Sequence, residues 1–132
     1  MPFFSVIIPS YNRAAVLPRA ITSVINQRFT DWELLIVDDG STDDTARVVQ
    51  PWLHATNAVR YHYQANAGKA AATRMGIGLA TGDIIFTLDA DDWFLPGKIA
   101  DTLAIFERYP QVVHVASPAL IRWHPPHGLG AT

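Results

Sequence analysis

Three short runs of apolar residues, rich in β-branched side chains, constrain the fold of this chain most strongly. They occupy residues 4–8, 33–37 and 84–88, and none of them alternates cleanly between apolar and polar positions. Such runs are typical of strands that are buried on both faces of a parallel sheet. Residues 59–63 do alternate, as an edge strand would, and residues 112–116 are a candidate fifth strand. The pattern therefore predicts a largely parallel sheet.

Segments with the apolar spacing of helices lie between these strands. They cover residues 14–27, 42–53, 69–80 and 97–108. Strand and helix alternate with short connections, and crossovers between parallel strands are right-handed. The predicted fold class is therefore α/β, with a mainly parallel open sheet and helices on both of its faces.

The length of the chain bounds its domain organisation. A chain of 132 residues is long enough for one domain with its own core and too short for two full domains. We expect residues 1–122 to form that domain. Residues 123–132 are rich in proline and glycine, which break helices and strands, so we expect them to be a disordered tail.

The composition narrows the classes of partner. Ten basic and twelve acidic residues give a net charge of -2, which disfavours a nucleic acid held on a broad basic surface. The chain has no cysteine, so disulfide frameworks and thiolate metal sites are excluded. No apolar run approaches the roughly 20 residues that span a bilayer, and the first residues do not resemble a signal peptide. We therefore expect a cytoplasmic protein without a membrane span.

Polar residues follow the predicted strands, and two of these segments contain paired aspartates. In an open parallel sheet the carboxyl ends of the strands meet at one edge, where ligands bind. In an extended segment Asp89 and Asp91 point to the same side, and their repulsion is relieved when a cation joins them. An all-oxygen ligand set favours Mg2+ or Mn2+. For Asp92 alone, a cap of the following helix is a fair interpretation, whereas a functional role is favoured for the cluster as a whole.

The other acidic pair, Asp38 and Asp39, follows the second strand. Asp39 can accept hydrogen bonds from a base-ring N–H or from ribose hydroxyls, and Tyr11 offers an aromatic face to the base. These two residues predict a nucleoside pocket. Asp38 is interpreted equally well as part of a tight strand-to-helix turn.

Common phosphate-binding loops are absent from the sequence. No G-x-x-x-x-G-K-[ST] motif occurs, and Gly76 and Gly78 fall late in a helical segment, which disfavours a Rossmann dinucleotide site. The charge of a bound phosphate would then be met by the metal ion. Arg13, Lys69 and Arg74 are weaker candidates for the same task.

Four motifs, in this order, resemble those of the nucleotide-binding N-terminal half of family 2 glycosyltransferases, which have the Rossmann-like GT-A fold. They are SVIIPSYNR at residues 5–13, WELLIVDDGSTD at 32–43, NAGKAAA at 66–72, and the TGD and LDADD segments within 81–92. The resemblance extends over residues 4–108. It implies transfer of a sugar from a nucleotide-sugar donor, with a UDP-sugar expected, to an unknown acceptor by metal-assisted inverting displacement.

The same resemblance implies roles for individual residues. Pro9, Tyr11 and Asp39 are similar to the residues that contact the base. Asp89 is similar to a ribose or diphosphate contact, and Asp91 to the metal ligand of the family's Asp-x-Asp motif. A Mn2+ or Mg2+ ion is therefore the implied cofactor.

Lys69 is similar to a residue that flanks the donor site in the family. The family's acceptor half, which would carry the catalytic base, has no counterpart here, so we expect the base beyond Thr132 and name none in this chain. A sheet edge left uncovered near residues 112–121 would let two copies pair as a homodimer. Two alternatives stay open, which are a nucleotide-binding fragment without turnover and a phospho-acceptor signalling domain.

Overall fold

The computed structural model describes residues 3–115 of the chain. Strands and helices alternate along them, as the sequence predicts. In chain order the elements are β1 (Phe4–Ser10), α1 (Leu17–Ile25), β2 (Trp32–Asp38), α2 (Thr45–Val48), α3 (Gln50–Ala55), β3 (Val59–Tyr63), α4 (Lys69–Leu79), β4 (Ile84–Thr87) and α5 (Lys98–Arg108).

The four strands form one parallel sheet in the order β3-β2-β1-β4. The central strand β1 pairs with β2 along its whole length, from Phe4 beside Trp32 to Ser10 beside Asp38. The chain lays β2 and β3 on one side of β1 and then returns to the other side for β4. Because the strand order reverses between β1 and β4, the crevice beyond their carboxyl ends is where ligands of such sheets bind.

Helices cover both faces of the sheet. On one face Val6 and Ile36 belong to the main core, on which α1 and α5 pack. On the other face Ile7 and Leu35 pack against Ala72 of α4. All seven residues of β1 are buried, as expected of a strand covered on both sides. The predicted α/β class, with an open parallel sheet between helices, is confirmed.

The helix α4 lies unusually close to β1. A Cβ atom placed on Gly76 would clash with the side chain of Ile7, so only glycine permits this approach. Gly76 therefore packs a helix against the sheet, which agrees with the prediction that it takes no part in a phosphate loop.

Two predicted elements differ in the structure. The helix predicted over residues 42–53 is divided into α2 and α3, because Pro51 lies at the start of α3 and has no N–H with which to continue the preceding helix. The fifth strand predicted over residues 112–116 was wrong for its described part, since residues 112–115 form no strand. Val113 is 94% exposed there, and none of the four described strands pairs with this segment.

Some predictions lie outside the described residues. These are the disordered tail at residues 123–132 and, from residue 116 onward, the segment on which self-association was predicted. Among residues 3–115, every helix is too short or too polar to cross a membrane.

Candidate functional site

A cleft of about 350 Å³ opens at the carboxyl edge of the sheet, between the ends of β1 and β4 and the start of α4. The residues predicted to bind donor and metal all line it, and they are Pro9, Tyr11, Asp39, Lys69, Asp89 and Asp91. Arg13 lines the cleft too. Arg74, the weakest of the three basic candidates, is exposed on α4 and is not among the residues that line the cleft.

The loop after β4 carries three aspartates whose carboxylates converge, and we call Asp89, Asp91 and Asp92 the acidic triad. One carboxylate oxygen of each lies within 4.8 Å of the others. Burial, followed by the negative charges of Asp91 and Asp89, raises the pKa of Asp92 above its ordinary value of 3.8. A divalent cation would relieve this repulsion, and an all-oxygen donor set fits Mg2+ or Mn2+.

Asp92 is a candidate ligand that the sequence did not assign. It does not cap α5, which begins at Lys98 after Gly97 in a left-handed conformation. Instead the backbone N–H of Asp92 donates to the carbonyl of Asp89 at 3.0 Å, and this turn brings the third carboxylate back beside the first. In the extended segment that the sequence predicts, only every second residue points to the same side. That expectation selects Asp89 and Asp91 and leaves out Asp92.

Lys69, the first residue of α4, forms an ion pair with the acidic triad. Its Nζ lies 2.6 Å from Oδ1 of Asp89, and the two side chains are 66% and 44% exposed. An ion pair this exposed contributes little to stability. The ion pair does, however, place one positive charge beside the triad, at the wall of the cleft.

Asp39 is buried and holds the loop that leads into α4. Its carboxylate accepts hydrogen bonds from Gln64 Nε2 at 3.0 Å and from the backbone N–H groups of Ala67 and Gly68 at 2.8 and 2.9 Å. Burial alone would raise the pKa of Asp39, but these three hydrogen bonds outweigh it and lower the pKa below 3.8. The carboxylate is therefore ionised, and about one of its four lone-pair positions is left for a ligand.

Asp38, for which two interpretations were open, is a structural residue. Its Oδ1 accepts the N–H of Ser41 at 2.9 Å, and its Oδ2 accepts the hydroxyl of Tyr61. Burial and the charge of Asp38 raise the pKa of Tyr61 strongly, so the phenol stays protonated as a donor. Asp38 thus closes the turn that the sequence predicted and does not line the cleft.

Ser10 lines the cleft although sequence reasoning missed it. The residue is buried, and among residues 3–115 its Oγ has no hydrogen-bond partner. A buried hydroxyl without a partner costs free energy. A ligand in the cleft would offer that partner, and the only sequence signal was a polar residue at the end of an apolar strand.

Tyr11 is held in place by its neighbour. Asn12 has a φ of 51°, a left-handed conformation that asparagine tolerates better than most residues. Its Oδ1 accepts the N–H of Thr42 at 2.8 Å, and its own N–H donates to Ser41 Oγ at 2.8 Å. The loop after β1 is thereby fastened to the loop after β2, and Tyr11, which is 48% exposed, stands at the cleft.

The model of the family described as glycosyl transferase family 2 matches residues 5–128 of the chain. The chain belongs to family 2 of the glycosyltransferases. The resemblance read from its four motifs is thereby confirmed, and the match favours a transferase over a phospho-acceptor signalling domain.

Two curated relatives show how this family 2 chain compares in length. An uncharacterised glycosyltransferase from Nostoc sp. is 42% identical over 104 residues, which are 78% of this chain and 32% of the relative. Chondroitin synthase from Escherichia coli is 37% identical over 108 residues, which are 82% of this chain and 16% of that protein. The chain thus spans about a third or less of these relatives.

A solved structure has the same fold. The mannosyltransferase PcManGT from Pyrobaculum calidifontis, in complex with GDP-Man and Mn2+, superimposes with a TM-score of 0.71 and 29% sequence identity. The match covers 85% of this chain and 33% of that one. The GT-A architecture expected from the motifs is therefore confirmed.

Proposed function

We propose that this chain is the nucleotide-sugar-binding part of a glycosyltransferase that acts by metal-assisted, inverting displacement. Family membership supports transferase chemistry in general. The observation that carries the finer proposal is a single cleft that gathers Tyr11 and Asp39 with the carboxylates of Asp89 and Asp91. A nucleoside diphosphate needs these two kinds of contact next to each other.

The nucleoside would occupy the part of the cleft lined by β1 and the loop after β2. The ring of Tyr11 would stack on the base, an interaction worth about 1–3 kcal/mol per base. Asp39 would accept the ring N–H with the lone pair that its hydrogen bonds to the loop leave unused. Ser10 Oγ would gain its missing partner, and Pro9 would pack against the base.

The diphosphate would lie against the acidic triad. Asp91, with Asp89 and Asp92 beside it, would hold Mn2+ or Mg2+. When bound, such an ion supplies positive charge that stabilises the leaving diphosphate. Lys69 and Arg13 add positive charge at the same edge, and the exposed ion pair of Lys69 with Asp89 can be exchanged for phosphate at small cost.

A UDP-sugar is the donor that we propose. Uracil presents one ring N–H, which matches the single acceptor position left on Asp39. The solved mannosyltransferase holds GDP-Man with Mn2+, and guanine also presents a ring N–H. GDP-sugars are therefore the donor class against which the proposal must be compared.

Calorimetric titration of the chain with UDP tests this proposal. We expect micromolar to millimolar affinity in the presence of Mn2+ or Mg2+, and loss of that binding when EDTA removes the metal. Equal binding with and without EDTA would contradict the metal assignment. Tighter binding of GDP than of UDP under the same conditions would contradict the donor assignment.

A nucleotide-binding fragment without turnover is the second candidate. It is favoured because the resemblance places the base for the acceptor in the family's acceptor half, and none is assigned among residues 3–115. Release of UDP from UDP-sugars in the presence of Mn2+ distinguishes the two. Turnover supports the transferase, and metal-dependent binding without turnover supports the fragment.

Two sequence predictions stay predictions. One is a location in the cytoplasm, and the other is pairing of two copies through the segment near residues 112–121. Light scattering over a concentration series would measure the second. A strict monomer at high concentration would contradict it.

A further inference from the structure

The helix α1 presents a row of polar side chains to the loop that carries the acidic triad. Arg19, Ser23 and Gln27 follow one another at intervals of four residues, so they lie along one side of the helix and of the turn that ends it. Each of them bonds to the main chain of residues 91–99. Residues 88–97 form neither helix nor strand, so their course depends on such contacts.

Gln27 makes the most of these contacts. Its Nε2 donates to the carbonyl of Leu95 at 3.0 Å and to that of Ser23 at 3.2 Å, while its Oε1 accepts the N–H of Ile99 at 3.2 Å. The residue is only 8% exposed. A buried amide is costly to leave without partners, so Gln27 ties the end of the loop firmly to α1.

Ser23 and Arg19 hold the part of the loop nearer to the triad. Ser23 Oγ accepts the N–H of Phe94 at 3.0 Å, two residues after Asp92. Arg19 Nη2 donates to the carbonyl of Asp91 at 3.2 Å, and its guanidinium lies 3.9 Å from the centre of the Trp93 ring. The three side chains therefore form hydrogen bonds to the main chain of the loop at Asp91, Phe94 and Leu95.

We propose that Ser23 and Gln27 are positioning residues for the metal-dependent part of donor binding. Three carboxylates that repel one another would separate if their loop were free to move. Fixing the main chain just beyond Asp92 keeps Asp89, Asp91 and Asp92 within reach of one cation before it binds. The proposal rests on the proposed function, because it assigns these residues to the metal end of the donor site.

Ser23→Ala is the first test, because it removes only a hydroxyl from a helix. Binding is measured with two probes, UDP in the presence of Mn2+ by calorimetry and uridine without metal by NMR titration. We expect about tenfold weaker binding of UDP with Mn2+, as for the loss of other groups that orient metal ligands. Binding of uridine should be unchanged, because the contacts of the base lie on Tyr11 and Asp39.

Ser5→Ala is the matched control. Ser5 is also a buried serine whose Oγ accepts a loop N–H, that of Gly82 at 2.9 Å, but it lies at the opposite edge of the sheet. It should lower the melting temperature without changing either binding constant. A general loss of stability would instead weaken both probes in both variants, and that result would overturn the proposal.

Gln27→Glu and Gln27→Met extend the test. Methionine leaves the carbonyls of Ser23 and Leu95 and the N–H of Ile99 without this partner. Glutamate keeps an acceptor for Ile99 but sets a buried, negatively charged oxygen against the two carbonyls, so we expect a larger loss for Glu than for Met. If neither Gln27 variant folds by circular dichroism, Ser23→Ala decides. Unchanged binding of UDP with Mn2+ by Ser23→Ala would overturn the positioning role alone, while a parent chain that binds no UDP with Mn2+ would overturn the proposed function and this inference with it.

Discussion

Both edges of the sheet carry acidic side chains, but the surroundings of their carboxylates differ. At the amino edge Glu33 is buried and receives donors on both oxygens, from Ser5 Oγ at 2.7 Å, from the N–H and hydroxyl of Thr81 at 2.7 and 3.0 Å, and from Arg60 Nη1 at 3.2 Å. Burial would raise the pKa of Glu33, but the hydrogen bonds from Thr81, Ser5 and Arg60 lower it below 4.5. At the carboxyl edge Asp92 faces Asp91 and Asp89, and its pKa is raised.

The difference separates two uses of a carboxylate. The fold itself supplies every partner of Glu33, which fastens the turn before β4 to the first two strands. Within the described part of the chain, the acidic triad has Lys69 as an exposed ion-pair partner of Asp89. The charges of Lys69 and Arg19 only partly offset the rise in the pKa of Asp92. A carboxylate surrounded by donors stabilises the fold, whereas carboxylates that face one another repel, and either protonation or a bound cation relieves that repulsion. Variants at each edge test this distinction.

The largest expected effect is on the proposed metal site. Asp91→Asn should weaken Mn2+-dependent binding of UDP by about a hundredfold, because the amide removes both a charge and a strong oxygen ligand. Its melting temperature should stay level or rise, since repulsion within the triad falls. Calorimetry and thermal melting measure the two quantities.

Asp83→Asn is the control for Asp91→Asn. Asp83 is an exposed aspartate in the turn before β4, outside the acidic triad. It should leave UDP binding unchanged. A loss of stability in Asp91→Asn, with UDP binding retained, would mean that the triad is structural and that the comparison of the two edges is wrong.

The next largest effect is at the amino edge, where we expect a loss of stability without a loss of nucleotide binding. Glu33→Gln should lower the free energy of unfolding by about 1–3 kcal/mol, because the amide nitrogen presents a donor where the carboxylate accepts from Ser5, Thr81 and Arg60. Urea unfolding measures the loss. Mn2+-dependent UDP binding should be unchanged, and a variant that binds UDP more weakly at full stability would contradict a purely structural role.

The sequence predicts the carboxyl edge well because its signals are local. Apolar runs predict the strands, and the polar residues directly after them must meet at one edge of a parallel sheet. Tyr11, Asp39 and Asp91 follow from that rule, and all three line the cleft. The positions of the strand ends and the direction of the chain are enough to predict which residues meet there, and no packing contact has to be known.

Long-range contacts explain what the sequence does not predict. Ser23 lies 71 residues from Phe94, and Glu33 lies 48 from Thr81, and nothing local marks either pair. Asp92 joins the triad through a turn that a strand-like reading excludes. Residues 112–115 have the local pattern of a strand but pair with none of the four described strands. A local pattern does not specify the partner that a strand needs.

A smaller effect tests the buried acid that stands between these two types. Asp39 accepts three hydrogen bonds within the fold, as a structural carboxylate like Glu33 does, yet it lines the cleft like Asp91. Asp39→Asn should weaken discrimination between UDP and CDP by about tenfold, since a single hydrogen bond to a charged group is worth about 1.5–3 kcal/mol. Mn2+ affinity should be nearly unchanged. Competition titrations with both nucleotides measure the ratio, and loss of all nucleotide binding would show that Asp39 acts only by holding the loop at Ala67 and Gly68.

The smallest effect is the pH dependence of stability, and its sign differs between the two edges. The folded-state pKa of Glu33 lies below 4.5, so its contribution to stability is present above that value and is lost as the pH falls through the folded pKa. The folded-state pKa of Asp92 lies above 3.8, so its charge destabilises the fold above the folded pKa, and protonation relieves this as the pH falls.

Glu33→Gln should therefore be less stable than the parent chain at neutral pH, and this difference in the free energy of unfolding should close in acid. Asp92→Asn should be slightly more stable at neutral pH, with a gap that also closes in acid. Urea unfolding between about pH 7 and pH 3 measures both differences in the free energy of unfolding. Differences of the same sign for the two variants would show that donors stabilise the triad as they stabilise Glu33. That result would remove the physical reason for a cation at the triad.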